Sequence, residues 1–216
     1  MSVKVKICCI SSLNEAKLAI NAGADILGLV ARMPSGPGVI SDQLIAEIAS
    51  QISLPTKTFL LSSETKAQKI IEHHQLVRTC TIQIVDSLSD GNYAALRASL
   101  PGIELVQVIH VIDEKSIEQA LAVAPQVDYL LLDSGNPKLK IKELGGTGRT
   151  HNWALSRSIV DQSPIPVFLA GGLNASNVQQ AMQEVQAYGL DLCSGVRTNG
   201  QLDVQKLNDF FTALGQ

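Results

Sequence analysis

The sequence predicts an α/β fold, a single (β/α)8 TIM barrel of eight parallel strands that occupies residues 1–216. Short β-branched runs alternate with amphipathic stretches, and the strand–helix unit recurs eight times at a spacing of about 25 residues. The length of 216 residues suits one well-filled domain. Connections too long for hairpins favour a closed barrel. The alternative is a doubly wound open sheet, which would normally place glycines after the first strand, where this chain has Cys8-Cys9-Ile10-Ser11-Ser12.

Each predicted strand is an apolar run bounded by turn-forming residues, and each predicted helix carries apolar residues on one face. The strands are Val3–Cys9, Asp25–Val30, Thr56–Leu61, Thr79–Val85, Ile103–Val111, Asp128–Asp133, Pro166–Ala170 and Leu190–Ser194. The helices are Leu13–Ala22, Ser41–Gln51, Glu64–His73, Asn92–Ser99, Asp113–Ala124, Asn152–Asp161, Asn174–Ala187 and Asp203–Leu214.

Three helices carry recognisable start signals. Ser12 precedes the first helix with Glu15 three residues on, Ser41 precedes the second, and Asn174 follows the glycine pair after strand seven. Short polar side chains of this kind cap the free N–H groups of a first turn. The alternation of strands and helices is therefore supported by local signals.

The composition excludes several classes of protein. Hydrophobic residues make up 45% and charged residues 17% of the chain, which excludes a disordered protein. The net charge is −3 and lysine and arginine are scattered, so neither nucleic acid nor an anionic membrane is expected as a partner. No apolar run reaches the roughly 18 residues of a membrane span, and the N-terminus carries no secretory signal. We expect a cytoplasmic protein, and its oligomeric state stays open.

The cysteines and histidines are the residues of this chain that could serve as metal ligands or reactive groups. Four cysteines without a secretory signal predict free thiols in a reducing compartment, and their spacing matches no zinc site: Cys8, Cys9, Cys80 and Cys193. His73 and His74 lie at a predicted helix end and are expected to be solvated. His110 ends strand five and is a minor candidate for the site.

A barrel of this kind places its chemistry at the carboxyl ends of the strands. In the first strand Lys4, Lys6 and Cys8 share one face, which is expected to point into the barrel, whereas Cys9 is expected to pack beneath a helix. Neighbouring cations would favour the Cys8 thiolate. Asp133 ends strand six and opens the longest connection, which is long enough for a lid or binding loop.

Glycines after the last two strands predict a phosphate site. Gly171 and Gly172 follow strand seven, and Ser194 and Gly195 follow strand eight. Glycines let bare N–H groups approach an anion, and the start of the following helix adds positive potential. These are the two loops that most often hold a phosphate in such barrels.

Taken in order, these motifs resemble the phosphoribosylanthranilate isomerase family. They are Lys6-Ile7-Cys8, Asn21-Ala22-Gly23-Ala24-Asp25 with Gly28, Leu132-Asp133-Ser134, Gly145-Gly146-Thr147-Gly148-Arg149-Thr150 with Trp153, Ala170-Gly171-Gly172-Leu173-Asn174 with Asn177-Val178, and Asp191 with Ser194-Gly195-Val196. The resemblance runs from strand one to strand eight.

The resemblance implies an isomerase of tryptophan biosynthesis that carries out an Amadori rearrangement of an aminoaldose phosphate without cofactor or metal. It implies Asp133 as the general acid and Cys8 as the general base. The phosphorylated sugar substrate would be bound through Gly171, Gly172, Ser194 and Gly195, with Gly146 and Gly148 in the long loop.

Four positions in three loops depart from the family pattern. Gly38 stands where the family normally has a substrate-contacting arginine, Cys9 stands where it has glycine, and Val85-Asp86 stands where it has His-Gly. Arg32, earlier in the same loop as Gly38, is the nearest arginine and is predicted to bind substrate instead. These departures fall in the loops expected to contact the aromatic end of the substrate.

Three hypotheses follow from this pattern. The first is a working phosphoribosylanthranilate isomerase. The second is an isomerase that acts on another N-substituted sugar phosphate. The third is a non-catalytic barrel that binds a sugar phosphate. In this case Cys8 and Asp133 are inherited from a catalytic ancestor and catalyse no reaction.

Overall fold

The computed structural model describes residues 3–146 and 148–215. Eight parallel strands, β1 to β8, form a closed barrel in which each strand pairs with its neighbours in sequence and β1 pairs with β8. They are Lys4–Ile7, Ile26–Val30, Lys57–Ser62, Thr81–Ile84, Glu104–His110, Tyr129–Asp133, Val167–Leu169 and Gly189–Leu192. The predicted fold class is therefore confirmed.

Across residues 3–146 and 148–215, eight α-helices, α1 to α8, follow the strands in alternation. They are Leu13–Ala22, Asp42–Gln51, Ala67–Val77, Tyr93–Ser99, Lys115–Val123, Trp153–Gln162, Val178–Val185 and Val204–Leu214. Within the described residues, no helix is long and apolar enough to cross a membrane. A short antiparallel hairpin of β9 (Arg197–Thr198) and β10 (Gln201–Leu202), which the sequence did not predict, precedes the last helix.

Two of the three predicted helix starts are confirmed. The hydroxyl of Ser12 accepts a hydrogen bond from the N–H of Glu15, and that of Ser41 accepts one from Leu44. The third is wrong in position, because α7 begins only at Val178. The Asn174 side chain instead accepts from the N–H of Ser176 and forms a separate turn ahead of the helix.

The prediction that both adjacent histidines are solvated is wrong for His74. The helix that was expected to end at His73 continues as α3 to Val77, and this turns His74 toward the barrel. His74 is 5% exposed, and its Nε2 lies 2.7 Å from the carbonyl oxygen of Thr79. His73 is partly buried and its Nε2 lies 3.0 Å from Asp42.

Alternation along each strand divides the core into two layers. One layer packs between the strands and the helices and includes Leu130 and Leu132. The other fills the barrel and includes Phe59, Leu131 and Phe168. Since Asp133 is two residues beyond Leu131, this alternation directs it into the barrel.

Candidate active site

The carboxyl ends of the strands surround a cavity of about 720 Å³, a volume that includes its open mouth. This is within the usual range for a small-molecule site, and it lies where barrels of this kind carry their chemistry. Seven of the predicted site residues line it together: Cys8, Asp133, Gly146, Gly148, Gly171, Gly172 and Ser194. Residues more than 180 positions apart in the sequence therefore meet in one place.

Cys8 lies at the end of β1, inside the barrel and 6% exposed. The Cys9 thiol donates a long hydrogen bond to its sulfur, with the two sulfur atoms 3.9 Å apart. This hydrogen bond and the nearby Lys6 ammonium lower the pKa of Cys8, against the opposite effect of burial. The environment therefore favours the thiolate, which is the form that can accept a proton.

Lys6 is fully buried beneath the cavity, and its Nζ lies 2.8 Å from a carboxylate oxygen of Asp191. Burial by itself would lower the pKa of Lys6, but the charges of Asp191 and the Cys8 thiolate raise it above its ordinary value. The ammonium therefore stays charged. Gly28 on the neighbouring strand leaves room for this arrangement, because a Cβ there would lie 3.0 Å from both Lys6 Nζ and Cys8 Sγ.

Asp133 ends β6 and is 6% exposed. Burial raises its pKa, although the Ser134 N–H and the charges of His110 and Lys6 act in the other direction. The following loop folds back over the carboxyl group, since a Cβ on Gly145 would lie 2.8 Å from Asp133 Oδ2. A carboxyl group held in this way keeps a proton to a higher pH than an exposed one, as a general acid requires.

Cys9 lines the cavity, and the prediction that it packs beneath a helix is wrong. Its backbone has φ 63°, in the left-handed region, so strand alternation ends at this residue and the side chain stays on the inner side. The Cys9 sulfur lies 2.8 Å from that of Cys193 in the loop after β8. Hydrogen bonds to Cys193 and Cys8, together with burial, raise the pKa of Cys9 and keep it protonated.

Arg197 holds the end of the first strand, a role that the sequence analysis missed. Its guanidinium donates to the carbonyl oxygens of Cys8 at 3.1 Å and Cys9 at 2.6 Å, and it forms a buried ion pair with Glu15 at 3.0 Å. From the sequence, Glu15 is predicted only as part of a helix start. Arg197 stands two residues after the Ser194-Gly195 motif, and this position is the one feature of the sequence that could have predicted its role.

The two predicted phosphate loops lie against each other and against the long loop after β6. A Cβ on Gly195 would lie 2.0 Å from the carbonyl oxygen of Leu173, and one on Gly172 would lie 2.8 Å from the backbone of Arg149. Gly195 itself is not among the lining residues, although Ser194 is. These glycines allow three loop backbones to converge at one side of the cavity.

The long loop after β6 also meets the loop after β2 across the cavity mouth. Ser35 donates to the carbonyl oxygen of Lys142, and a Cβ on Gly146 would lie 2.6 Å from the Pro37 ring. The Lys142 ammonium pairs with Asp86 in the loop after β4. These contacts agree with the predicted covering loop, of which Thr147 lies outside the described residues.

Arg32 is exposed and is not among the residues that line the cavity. Its backbone carbonyl accepts a hydrogen bond from the Ser63 hydroxyl. His110 is paired in register with Asp133, and its Nε2 lies 3.0 Å from the carbonyl oxygen of Val85. It therefore neighbours the predicted acid without lining the cavity.

Gln83 on β4 is a further polar residue of the cavity. Its side chain is 3% exposed, and its Oε1 has no hydrogen-bond partner among the described residues. Val85, two residues further along, lines the same wall. Among residues 3–146 and 148–215, no group of three or more His, Cys, Asp or Glu side chains is placed to hold a metal ion.

The model of the family described as N-(5'phosphoribosyl)anthranilate (PRA) isomerase matches residues 5–213. The chain belongs to the phosphoribosylanthranilate isomerase family. The match runs from the first strand of the barrel into its last helix, so it includes Cys8, Asp133 and both phosphate loops.

Individual relatives agree with the family match. The chain is 34% identical over 212 residues to an N-(5'-phosphoribosyl)anthranilate isomerase of Bacillus cereus, with 96% of each chain covered. It is 30% identical to that of Methanosarcina acetivorans, over 97% of this chain and 92% of the relative. The solved phosphoribosylanthranilate isomerase of Thermotoga maritima superposes with a TM-score of 0.80 at 26% identity, covering 99% of this chain and 98% of the other.

Proposed function

We propose that this protein catalyses the Amadori rearrangement of N-(5'-phosphoribosyl)anthranilate, an aminoaldose phosphate, to the corresponding aminoketose phosphate. Asp133 protonates the furanose ring oxygen, which opens the ring and forms a Schiff base. The Cys8 thiolate then removes the proton from C2′. The sugar phosphate binds at the backbone N–H groups of the loops that contain Gly172 and Ser194.

One observation carries the proposal. A thiol whose pKa is lowered and a carboxyl group whose pKa is raised face the same cavity from the ends of β1 and β6. A reaction that needs one group to give a proton and another to take one requires such a pair. The buried Lys6 ammonium supports the thiolate by its positive charge.

The test follows the loss of substrate fluorescence with freshly made phosphoribosylanthranilate. We expect turnover by the wild type and a loss of about 10²-fold or more in kcat for Cys8→Ala and for Asp133→Asn. Cys80→Ala is the matched control, because the Cys80 thiol forms hydrogen bonds with the Thr58 backbone at the opposite end of the barrel. Full turnover by either active-site variant would contradict the assigned roles.

A second candidate substrate is an N-substituted phosphoribosylamine whose substituent carries no carboxylate. It is favoured by the absence of cations from the cavity wall, since the described lining includes the acidic residues Asp133 and Asp191 and no lysine or arginine. Gly38 likewise offers no cation. Turnover of a panel of such amines, with and without a carboxylate on the ring, distinguishes the two.

A non-catalytic role gives a third result in the same experiment. If no amine in the panel is turned over while ribose 5-phosphate binds, the barrel is a sugar-phosphate binding protein. Binding that is lost in a phosphate-loop variant but retained in Cys8→Ala would locate the ligand at the glycine loops.

A further inference from the structure

A pair of thiols that the proposed reaction does not use lies at the mouth of the cavity. Cys9 follows β1 and Cys193 follows β8, 184 positions later, and their sulfur atoms are 2.8 Å apart. This separation is longer than a covalent S–S bond of ~2.05 Å. It is shorter than the usual contact distance of two unbonded sulfur atoms. Both cysteines are free in the structure.

We propose that Cys9 and Cys193 are an oxidant-sensitive modification site and form a reversible disulfide with peroxide-type or disulfide-type oxidants. The site is preformed. The carbonyl oxygen of Cys9 is held by Arg197 at 2.6 Å, and Cys193 joins the end of β8 to the short helical turn Ser194–Val196. Oxidation therefore needs little movement of either backbone, which lowers the entropic cost of closing the bond.

A small oxidant can reach this pair through the cavity. Both cysteines are lining residues, and Cys193 is half-buried whereas Cys9 is 4% exposed. Cys193 is therefore the sulfur that an oxidant meets first, and Cys9 lies behind it as the resolving thiol. An accessible cysteine beside a resolving one is the usual arrangement of redox-sensitive thiols.

The other two cysteines are less suited to pair. Cys8 adjoins Cys9 in sequence and their sulfur atoms are 3.9 Å apart, so a bond between them would have to span a single peptide unit. Cys80 is at the opposite end of the barrel, where its sulfur accepts a hydrogen bond from the N–H of Thr58. The geometry therefore selects Cys9 and Cys193 among the four cysteines.

With hydrogen peroxide the step balances as follows. Cys193 loses its proton as its sulfur attacks one peroxide oxygen, the O–O bond breaks, and the departing hydroxide takes up that proton as the first water. The Cys9 sulfur, on losing its proton, then attacks the sulfenic sulfur of Cys193, and the S–O bond breaks to release the second water. Two thiols lose two electrons and two protons, and one peroxide becomes two waters.

The disulfide would also affect the neighbouring Cys8. In the reduced protein the Cys9 S–H donates to the Cys8 sulfur and lowers the pKa of Cys8. A disulfide has no S–H, so oxidation removes this donor and weakens the Cys8 thiolate. This consequence for catalysis rests on the proposed function, whereas the disulfide itself does not.

The test treats the purified full-length protein with stoichiometric hydrogen peroxide or diamide, denatures it under acid quench, and counts its thiols. We expect a loss of two of the four thiols, their recovery with dithiothreitol, and a cross-linked peptide pair that contains Cys9 and Cys193. Cys193→Ser should keep its three thiols, while Cys80→Ser, the matched control, should lose two.

Peptide mapping of the wild type decides the matter even where a variant fails to fold. Four surviving thiols, or a cross-link through Cys8 or Cys80, would overturn the proposal. If the disulfide forms but no amine is turned over before oxidation, the modification site stands and the proposed function fails. If turnover is normal and no disulfide forms, the proposed function stands and the modification site fails.

Discussion

A Cβ atom on Gly38 would lie 2.4 Å from the Cβ of Cys9, so the two positions cannot both carry side chains in this backbone arrangement. The family pattern has glycine at the position of Cys9 and arginine at the position of Gly38. Here the side chain has moved from the loop after β2 to the loop after β1. We therefore interpret the two departures from the family pattern as one structural exchange.

This exchange predicts the behaviour of an arginine introduced at the loop after β2. Gly38→Arg alone would clash with Cys9 and would also place a side chain at φ 80°, so we expect a loss of about 1–3 kcal/mol in the free energy of unfolding. In Cys9→Gly/Gly38→Arg the contacts of 2.4 and 2.8 Å with the Cys9 side chain are absent, and a contact of 2.9 Å with the Cα of residue 9 remains. We expect that double variant to be more stable than the sum of the single changes predicts. Urea unfolding of the four proteins measures the coupling.

The same double variant tests the specificity of the cavity. If the missing arginine is what a carboxylate-bearing substrate requires, its return should lower KM for the anthranilate compound and leave the KM of uncharged analogues nearly unchanged. Strictly additive unfolding energies, or an unchanged KM for every substrate, would contradict the exchange.

The pH profile of the reaction follows from the two opposed pKa shifts. Activity requires Cys8, whose pKa is lowered, without its proton and Asp133, whose pKa is raised, with its own, so kcat/KM should pass through a maximum as pH rises. Cys9→Ala removes the S–H donor to Cys8, so we expect the limb of kcat/KM that reports Cys8 to move to higher pH. Cys80→Ala should leave the profile in place, and an unmoved limb in Cys9→Ala would show that the donor is unimportant.

The buried pair of Arg197 and Glu15 predicts a large loss of stability when one partner is removed. Arg197→Met leaves the Glu15 carboxylate buried without its cation, so we expect a loss of about 3–5 kcal/mol in the free energy of unfolding. Arg157→Met is the matched control, because Arg157 and Asp161 form an exposed pair one helical turn apart that should contribute at most about 1 kcal/mol. Equal losses in the two variants would contradict the prediction.

The acid dependence of stability should change with the same variant. Although burial acts to raise it, hydrogen bonds from Arg197 and from backbone N–H groups lower the pKa of Glu15 below its ordinary value. The stabilisation is therefore complete above the ordinary carboxyl pKa and is lost as pH falls through the lowered one. Urea unfolding at several acidic pH values should show a steeper decline in the wild type than in Arg197→Met.

The phosphate loops predict a selective loss of binding. Gly172 and Gly102 both have positive φ, at 66° and 82°, so an alanine at either costs about 1–3 kcal/mol in backbone strain. A Cβ at Gly172 also meets backbone atoms at 2.8 Å, whereas none lies within 4 Å at Gly102. We expect Gly172→Ala to weaken ribose 5-phosphate binding about tenfold or more, and Gly102→Ala to leave it unchanged. Calorimetry measures both, and equal affinities would argue against the assigned loop.

The barrel and the positions of the candidate site residues were predictable because they depend on local patterns. Alternating polar and apolar residues in β1 predicted that Lys6 and Cys8 face inward, and Lys6 is fully buried beside Asp191. The apolar run that ends in Asp133 predicted a strand whose last residue reaches the cavity, as the structure shows. The glycines after β7 and β8 predicted loops of close backbone approach, which the structure shows for Gly172 and Gly195.

The sequence by itself determined the order of strands and helices, the inward face of β1, and the presence of Cys8, Asp133 and the glycine loops at the ends of strands. These depend on residue periods of two and 3.6 and on turn chemistry, which are local. Only the tertiary structure decided that Cys9 turns inward at φ 63°, that Arg197 secures its carbonyl oxygen, and that Cys193 lies beside it. Those contacts arise when barrel closure brings β8 against β1, and no local pattern encodes the distance between residues so far apart in the chain.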